Sequence, residues 1–277
     1  MVVRRLIEGP TQCTHAGALT VCRDENLLDS RFVVHGFSTR WRQVEGGRVP
    51  FDLRRGRADA AHNRRLLCGE MGLEHRFLVA AEQVHGGAVA VVGAGAASES
   101  WQGVEAVAAG VDGLITSNAG VALMMFFADC VPVLLWDPES NAVGLVHAGW
   151  RGTASRVARS AVEAMRSEYG NRSEGLRALI GPAICGECYE VAEPVAAALR
   201  GAVPGQHLFL NRVKSGWQAD LKEANRQELL AAGLSPASIS VSQYCTRCHA
   251  DIFFSHRGDG EDTGRHGAVI ALRGRHE

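Results

Sequence analysis

The sequence predicts an α+β fold: a layered α/β sandwich of mixed β-sheets, forming a single domain over residues 1–277. Three observations point there. Apolar runs of strand length at 121–127, 131–136, 176–180, 239–243 and 268–272 are mostly continuous rather than alternating, as expected of strands covered on both faces. Segments with helical spacing lie between them. No Pro-rich or charged linker divides the chain, and no fixed-period repeat marks a solenoid or propeller.

In chain order, residues 1–30 read as irregular with short strands and 31–37 as a strand. The Gly- and Arg-rich stretch 40–57 reads as a long loop. Residues 58–71 have helical spacing, with Gly72 as a stop signal. Strands are expected at 77–81 and 88–92, and 93–110, rich in Ala, Gly and Ser, reads as an excursion. In the centre, Asp137-Pro-Glu-Ser-Asn141 is a turn between the strands 131–136 and 142–146, since Pro presets φ and Asp or Asn bonds its own backbone. Residues 153–169 form an amphipathic helix with Thr153 as its cap, Val157, Ala161, Ala164 and Met165 on one face, and Gly170 at its end. Helices follow at 191–199 and 217–232.

Composition narrows the function classes. A net charge of -1 supplies no field for nucleic acid or an acidic membrane. The apolar runs 121–128 and 131–136 are too short to span a bilayer, and Asp129 splits them. The first ten residues contain early arginines but no apolar h-region, so a cytoplasmic protein is expected. In that reducing compartment the eight cysteines read as metal ligands, catalysts or buried packing residues rather than disulfides. Cys13, Cys22 and Cys68 look solitary and read as packing residues. No coiled-coil heptad or exposed apolar helix announces a partner copy, so a monomer is expected.

Chemistry concentrates in Gln83-Val-His85, Ala128-Asp-Cys130 and Val146-His147-Ala-Gly-Trp-Arg151. Each key side chain stands at the end of an apolar strand, where a rigid scaffold presents residues to a cleft. The turn at 137–141 brings Cys130 and His147 within reach of each other. Two imidazoles and a thiolate suit Zn²⁺ and leave one tetrahedral position open, the mark of a catalytic rather than a structural zinc. Water at such a position has a pKa of about 7. Two other readings stay open. A single histidine at a strand end is more often a hydrogen-bonded structural residue, and His147 or His85 could instead deprotonate Cys130 for nucleophilic attack on a carbonyl.

These motifs, with Asp112-Gly-Leu-Ile-Thr116, Ile180-Gly-Pro-Ala-Ile-Cys185, Cys188-Tyr-Glu-Val191, Cys245-Thr-Arg-Cys248 and Phe253-Phe-Ser255, run in order over nearly the whole chain. The sequence resembles the laccase-domain, or polyphenol oxidase, family, also known as the YfiH family. The resemblance implies a layered single-domain fold, a catalytic centre at His85, Cys130 and His147, and one zinc ion held by those three residues. It implies purine nucleosides as substrates: phosphorolysis of adenosine, inosine, guanosine and methylthioadenosine, and deamination of adenosine. Copper fits poorly, because multicopper oxidases need several paired histidine clusters. The family also includes members tied to editing of peptidoglycan precursors, so a Cys-dependent amide hydrolase is an alternative, and a non-catalytic metal-binding protein is another.

Phosphorolysis requires an anion site, and guanidinium binds phosphate in bidentate fashion. Arg40 is the first candidate and Arg151 the second, followed by Arg64 and Arg257. Asp112 and Asp129 are expected near the substrate, orienting ligands or moving protons. The stretch 40–57 departs from the family pattern at Trp41-Arg-Gln-Val-Glu and Phe51-Asp-Leu-Arg-Arg, which leaves nucleoside preference open. The Gly-rich tail around Phe253-Phe-Ser-His-Arg and Thr263-Gly-Arg-His266 is placed to close over substrate, with His256 and His266 as weaker ligand candidates.

The pairs Cys185-x-x-Cys188 and Cys245-x-x-Cys248 have the form of a four-cysteine zinc site. Their wide separation and the missing Gly knuckles count against a compact ribbon, and the resemblance does not make them ligands. The zinc deaminase signature is absent, since Pro182 does not directly precede Cys185 and no His-x-Glu occurs.

Overall fold

The structure, a computed structural model, describes residues 8–24, 28–29, 31–54, 56–95, 106–170 and 172–274. Residues 1–7, read for a signal peptide, and 96–105, the middle of the expected excursion, lie outside them.

The described residues form three sheets. The largest has the order β1 (Gln12–Ala16), β2 (Leu19–Arg23), β3 (Val33–Val44), β17 (His266–Leu272), β9 (Ala122–Phe127), β5 (Leu78–Ala81) and β7 (Ala106–Ala108), with β4 (Gly47–Pro50) paired to β3. The second has the order β16 (Ile239–Val241), β12 (Arg177–Ile180), β10 (Val131–Asp137), β11 (Ala142–Ala148), β8 (Gly113–Thr116) and β6 (Val89–Val91). A small third sheet joins β13 (Glu190–Val191), β15 (Gly216–Ala219) and β14 (Leu210–Val213). Both large sheets are mixed: β5 runs parallel to β7 and β9, and β12 parallel to β16, among antiparallel neighbours.

Alternate residues of each central strand enter different cores, which explains the continuous apolar runs. On β9, Leu123, Met125 and Phe127 face the second sheet and pack with Leu134, Trp136, Val143 and Leu145. Ala122, Met124 and Phe126 face the other way, toward Leu67 and Cys68 of helix α1 (Ala60–Glu70). Val131, Val133 and Leu135 of β10 pack under helices α3 (Val157–Tyr169), α4 (Glu193–Ala202) and α5 (Leu221–Ala231). The result is helix, sheet, sheet, helix. Each fully buried Leu or Phe in such a core contributes roughly 1.5–3 kcal/mol relative to exposure. Among the described residues no helix is long and apolar enough to cross a membrane.

Four sequence expectations are corrected. The stretch 40–57 is not one long loop, because β3 continues to Val44 and turns through Glu45-Gly46 into β4, with Gly46 at φ 86°. The helix expected at 153–169 is two helices, α2 (Trp150–Ala154) and α3, broken where Arg156 takes the left-handed φ of 59°. Thr153 therefore lies inside α2, whose N-cap is Gly149, while Gly170 ends α3 as expected at φ 70°. Trp217 belongs to β15, and α5 begins only after Asp220, whose carboxylate accepts the Glu223 N–H at 3.1 Å. That Asp-x-x-Glu cap was legible in the sequence. Finally, Cys13 and Cys22 are not solitary: the β1–β2 register sets them opposite each other, and they form a disulfide. Cys68 is buried as expected.

Candidate active site

Three strand ends converge on one cavity. β9 and β10 are joined by the short link Ala128-Asp129-Cys130, so Cys130 sits at the start of β10. The antiparallel register pairs Pro132 with His147, which places the His147 ring beside the link. His85 follows β5, the neighbour of β9. Gln83 secures that segment: its side-chain amide donates to the Phe126 carbonyl at 2.9 Å, and its carbonyl oxygen accepts the Phe126 N–H at 2.9 Å. A ligand atom from each of His85, Cys130 and His147 lies within 4.8 Å of the other two. The two imidazole rings meet edge to face with centroids 4.9 Å apart.

Asp112 holds this arrangement from behind. It is fully buried, and its carboxylate accepts the N–H groups of Val84 at 3.2 Å, His85 at 3.0 Å and Gly86 at 2.6 Å. It also accepts from Nδ1 of His147 at 2.7 Å, which leaves the other ring nitrogen of His147 as the one that could serve a metal. These bonds stabilise His85 in a left-handed conformation, φ 61°, that costs a non-glycine residue about 1–2 kcal/mol. Burial alone would raise the Asp112 carboxyl, but the His147 ring and the Gly86 N–H outweigh it and hold it below its ordinary value.

Asp129 plays a similar part for the link before Cys130. It has φ 84°, and its carboxylate accepts the Thr246 hydroxyl and the Arg257 N–H, each at 2.6 Å. Gly149 explains part of the His-Ala-Gly-Trp motif. A Cβ at that position would stand 2.9 Å from Sγ of Cys130 and 3.1 Å from the His85 ring, so a side chain there would displace the ligands. Burial would raise the Cys130 thiol, but the His147 charge and hydrogen bonds from His147 and His85 bring it down to about 6. Against its own burial, the Cys130 sulfur and the Asp112 carboxylate raise His147 to about 9. Both shifts favour charge separation between sulfur and ring, and a cation bound at the second ring nitrogen would take the place of the His147 proton. Thiolate and carboxylate-backed imidazole are the donor types zinc takes, and the His85, Cys130, His147 set fits such an ion.

The trio lines a cavity of about 670 Å³, within the size range of small-molecule sites. Arg151 and Arg257 reach its wall, as do His256 and two arginines that sequence reasoning missed, Arg54 and Arg265. Phe126, Trp150 and Tyr189 supply apolar faces. Arg54 comes from the very stretch read as a departure from the family pattern, and Arg265 stands beside His266 in the Gly-rich tail. Arg40, Arg64, Asp112 and His266 lie elsewhere. Arg40, the first phosphate candidate, does not line the cavity: its guanidinium donates to the Ala250 carbonyl at 2.5 Å and pairs with Asp259 at 3.4 Å. Arg64 is buried behind the cavity wall, bonded to the Ala60 carbonyl at 3.2 Å and set 5.1 Å from the Phe126 ring centroid. Asp112, expected near substrate, has no exposed surface to offer one, whereas Asp129 reaches the wall. His266 is fully buried between Phe127 and Phe253 rather than among the ligands.

The family model for multi-copper polyphenol oxidoreductase laccase matches residues 34–273. The chain belongs to this family. Among the relatives of this laccase-family chain is purine nucleoside phosphorylase YlmD of Geobacillus stearothermophilus, 40% identical over 223 residues that cover 80% of each chain. Another is adenosine deaminase RL5 of an unknown prokaryotic organism, 37% identical over 205 residues, 72% of this chain and 76% of that one. The crystal structure of YlmD from Geobacillus stearothermophilus has the same fold, with a TM-score of 0.86 at 33% identity over 96% of this chain and 100% of that one. The mixed α/β architecture expected from the sequence is therefore the family's. Among the described residues of this laccase-family chain, the groups able to hold a metal are the His85, Cys130, His147 trio and a four-cysteine cluster.

Proposed function

We propose that this chain is a zinc-dependent purine nucleoside phosphorylase acting on adenosine, inosine, guanosine and methylthioadenosine, with adenosine deaminase activity. The observation that carries the reading is one cavity that joins a two-histidine, one-thiolate ligand set to four arginines and aromatic faces. The names of the two relatives support both reactions.

In phosphorolysis the bond from the sugar C1′ to the purine nitrogen breaks. A phosphate oxygen takes C1′, and the purine leaves with a proton. When bound by His85, Cys130 and His147, zinc supplies Lewis acidity, which polarises a substrate oxygen and makes water acidic near neutral pH. The chain's own groups do the rest. Arg151 and Arg257 present guanidinium groups to phosphate, Arg257 with one nitrogen already donating to the Glu190 carbonyl, while Arg54 and Arg265 add positive charge at the wall with nitrogens bonded to the carbonyls of residues 261–264. Arg151 stacks on Trp150 at 4.4 Å and Arg257 on Tyr189 at 4.9 Å, so both groups are oriented before phosphate arrives. The faces of Trp150, Tyr189 and Phe126 suit a purine ring. Asp112 keeps His147 in one tautomer throughout.

The test is the purified zinc-loaded protein with inosine and phosphate, or with adenosine, assayed for free base and for deaminated nucleoside. Phosphate-dependent release of hypoxanthine is expected. Arg151→Ala and Arg257→Ala should each raise KM for phosphate about tenfold or more, since a charge-assisted hydrogen bond contributes roughly 1.5–3 kcal/mol. No turnover of any purine nucleoside by the metal-loaded protein defeats the reading.

The Cys130–His147 pair supports a second reading, in which Cys130 attacks an amide carbonyl with His147 as the proton carrier. Amide hydrolysis that persists after metal removal would favour it over the first.

A further inference from the structure

We propose that Cys185, Cys188, Cys245 and Cys248 form a second, tetrathiolate metal site that binds zinc and braces the cavity wall. The sequence separates the two pairs widely, but the topology removes that separation. β12 and β16 are parallel neighbours in the second sheet, with Ile180 paired to Val241. Their continuations leave the sheet at the same end and stay side by side. The Ser242 N–H donates to the Ile180 carbonyl at 2.8 Å, the Thr246 N–H donates to the Ala183 carbonyl at 3.2 Å, and Ala183 bridges Cys245. Each continuation carries its Cys-x-x-Cys at the matching place.

All four sulfurs lie within 4.8 Å of one another, and those of Cys188 and Cys248 are 3.4 Å apart. Four sulfurs at about 2.3 Å from one zinc stand roughly 3.8 Å from each other in a tetrahedron, so the cluster is already near that spacing. The Cys245 sulfur accepts the N–H of Cys185 at 3.3 Å and that of Cys248 at 3.4 Å, contacts that stabilise a thiolate. Charge balance agrees. The buried Lys222 ammonium, held by the carbonyls of Ser242 at 2.8 Å and Tyr244 at 3.3 Å, stands within electrostatic reach of Cys245, Cys185 and Cys248. Four thiolates around one dication carry net negative charge, which a buried cation offsets.

Position gives the site its role. The first continuation carries Ile184 and Tyr189, both on the cavity wall. The second carries Thr246, whose hydroxyl holds Asp129 beside Cys130. A metal clamping the two continuations fixes the wall and the ligand link together.

Metal content of protein purified under reductant without chelator tests this. Native mass spectrometry of the unmutated chain should show about two zinc ions. Cys188→Ser and Cys248→Ser should each lower that to about one, and so should Cys130→Ala, by emptying the other site. Cobalt substitution needs no variant: sulfur-to-cobalt charge transfer should match about four Co–S bonds per chain beyond the one at Cys130, and should persist in Cys130→Ala. One zinc per chain, lost entirely in Cys130→Ala, overturns the proposal, as does a Cys188–Cys248 disulfide in protein kept under reductant. Neither result bears on nucleoside turnover, which is assayed separately.

Discussion

At Asp112 a single carboxylate accepts three backbone N–H groups and one imidazole, and so sets both the left-handed turn at His85 and the tautomer of His147. Replacing one oxygen with an amide turns a hydrogen-bond acceptor into a donor facing donors. Asp112→Asn should therefore weaken metal binding at the cavity roughly 10–100-fold, read by competition against a chromogenic chelator. Affinity equal to that of the unmutated chain would show that Asp112 supports the fold without orienting the ligand. The sequence offers Asp112 as a residue that orients ligands, but it does not show which groups the carboxylate would hold. Asp112 precedes an ordinary strand, and its partners lie 26 to 35 positions away.

Between residues and the whole stand β10 and β11, whose register presents Cys130 and His147 to one cavity. The Asp137 turn fixes that register, its carboxylate accepting the N–H groups of Glu139 at 3.0 Å and Ser140 at 3.2 Å, with Asn141 in the left-handed region. A slip of one residue would turn His147 to the opposite face. Gly149, just past β11, leaves room for the ligands, and Gly149→Ala should cut the metal content at this site at least several-fold while the far-UV spectrum stays unchanged. Full metal occupancy in that variant would mean that the ligands yield to the added methyl. The hairpin, its turn and the approach of His85, Cys130 and His147 to one another were legible because their signals are local: apolar runs, a Pro-containing turn and polar breaks at strand ends. Of the arginines, Arg151 and Arg257 were named from the sequence and line the cavity, but the others were not legible. Arg40 looked free in its motif, yet β3 carries it against the 250–259 segment, where carbonyls and Asp259 occupy its guanidinium. Arg54 and Arg265 reach the cavity only through tertiary folding, which no local pattern encodes.

Over the whole molecule, two sheets packed face to face bury polar rings as well as apolar ones. His266 is the sharpest case. Its ring nitrogens find no hydrogen-bond partner among the described residues, and burial, helped by the Arg265 charge, depresses its pKa to about 3. Above its unfolded value of about 6.5 the ring is neutral in both states and adds no pH dependence. Below that value the unfolded chain takes up a proton that the folded chain refuses, and stability falls with pH until about 3. Urea denaturation at pH 7 and pH 5 should therefore show His266→Phe losing about 2 kcal/mol less than the unmutated chain between the two conditions. Equal losses would show that the folded ring takes up the proton too. The buried Asp112 cradle has a different reach. Backbone donors from residues 84–86 and the Nδ1 of His147 all meet one carboxylate, so covalently fixed parts of the chain contribute to the shape of the socket. Stripping its cation should leave a folded apoprotein ready for refilling, and the identity of the occupant would then depend on which divalent ions the surroundings offer rather than on the folding pathway.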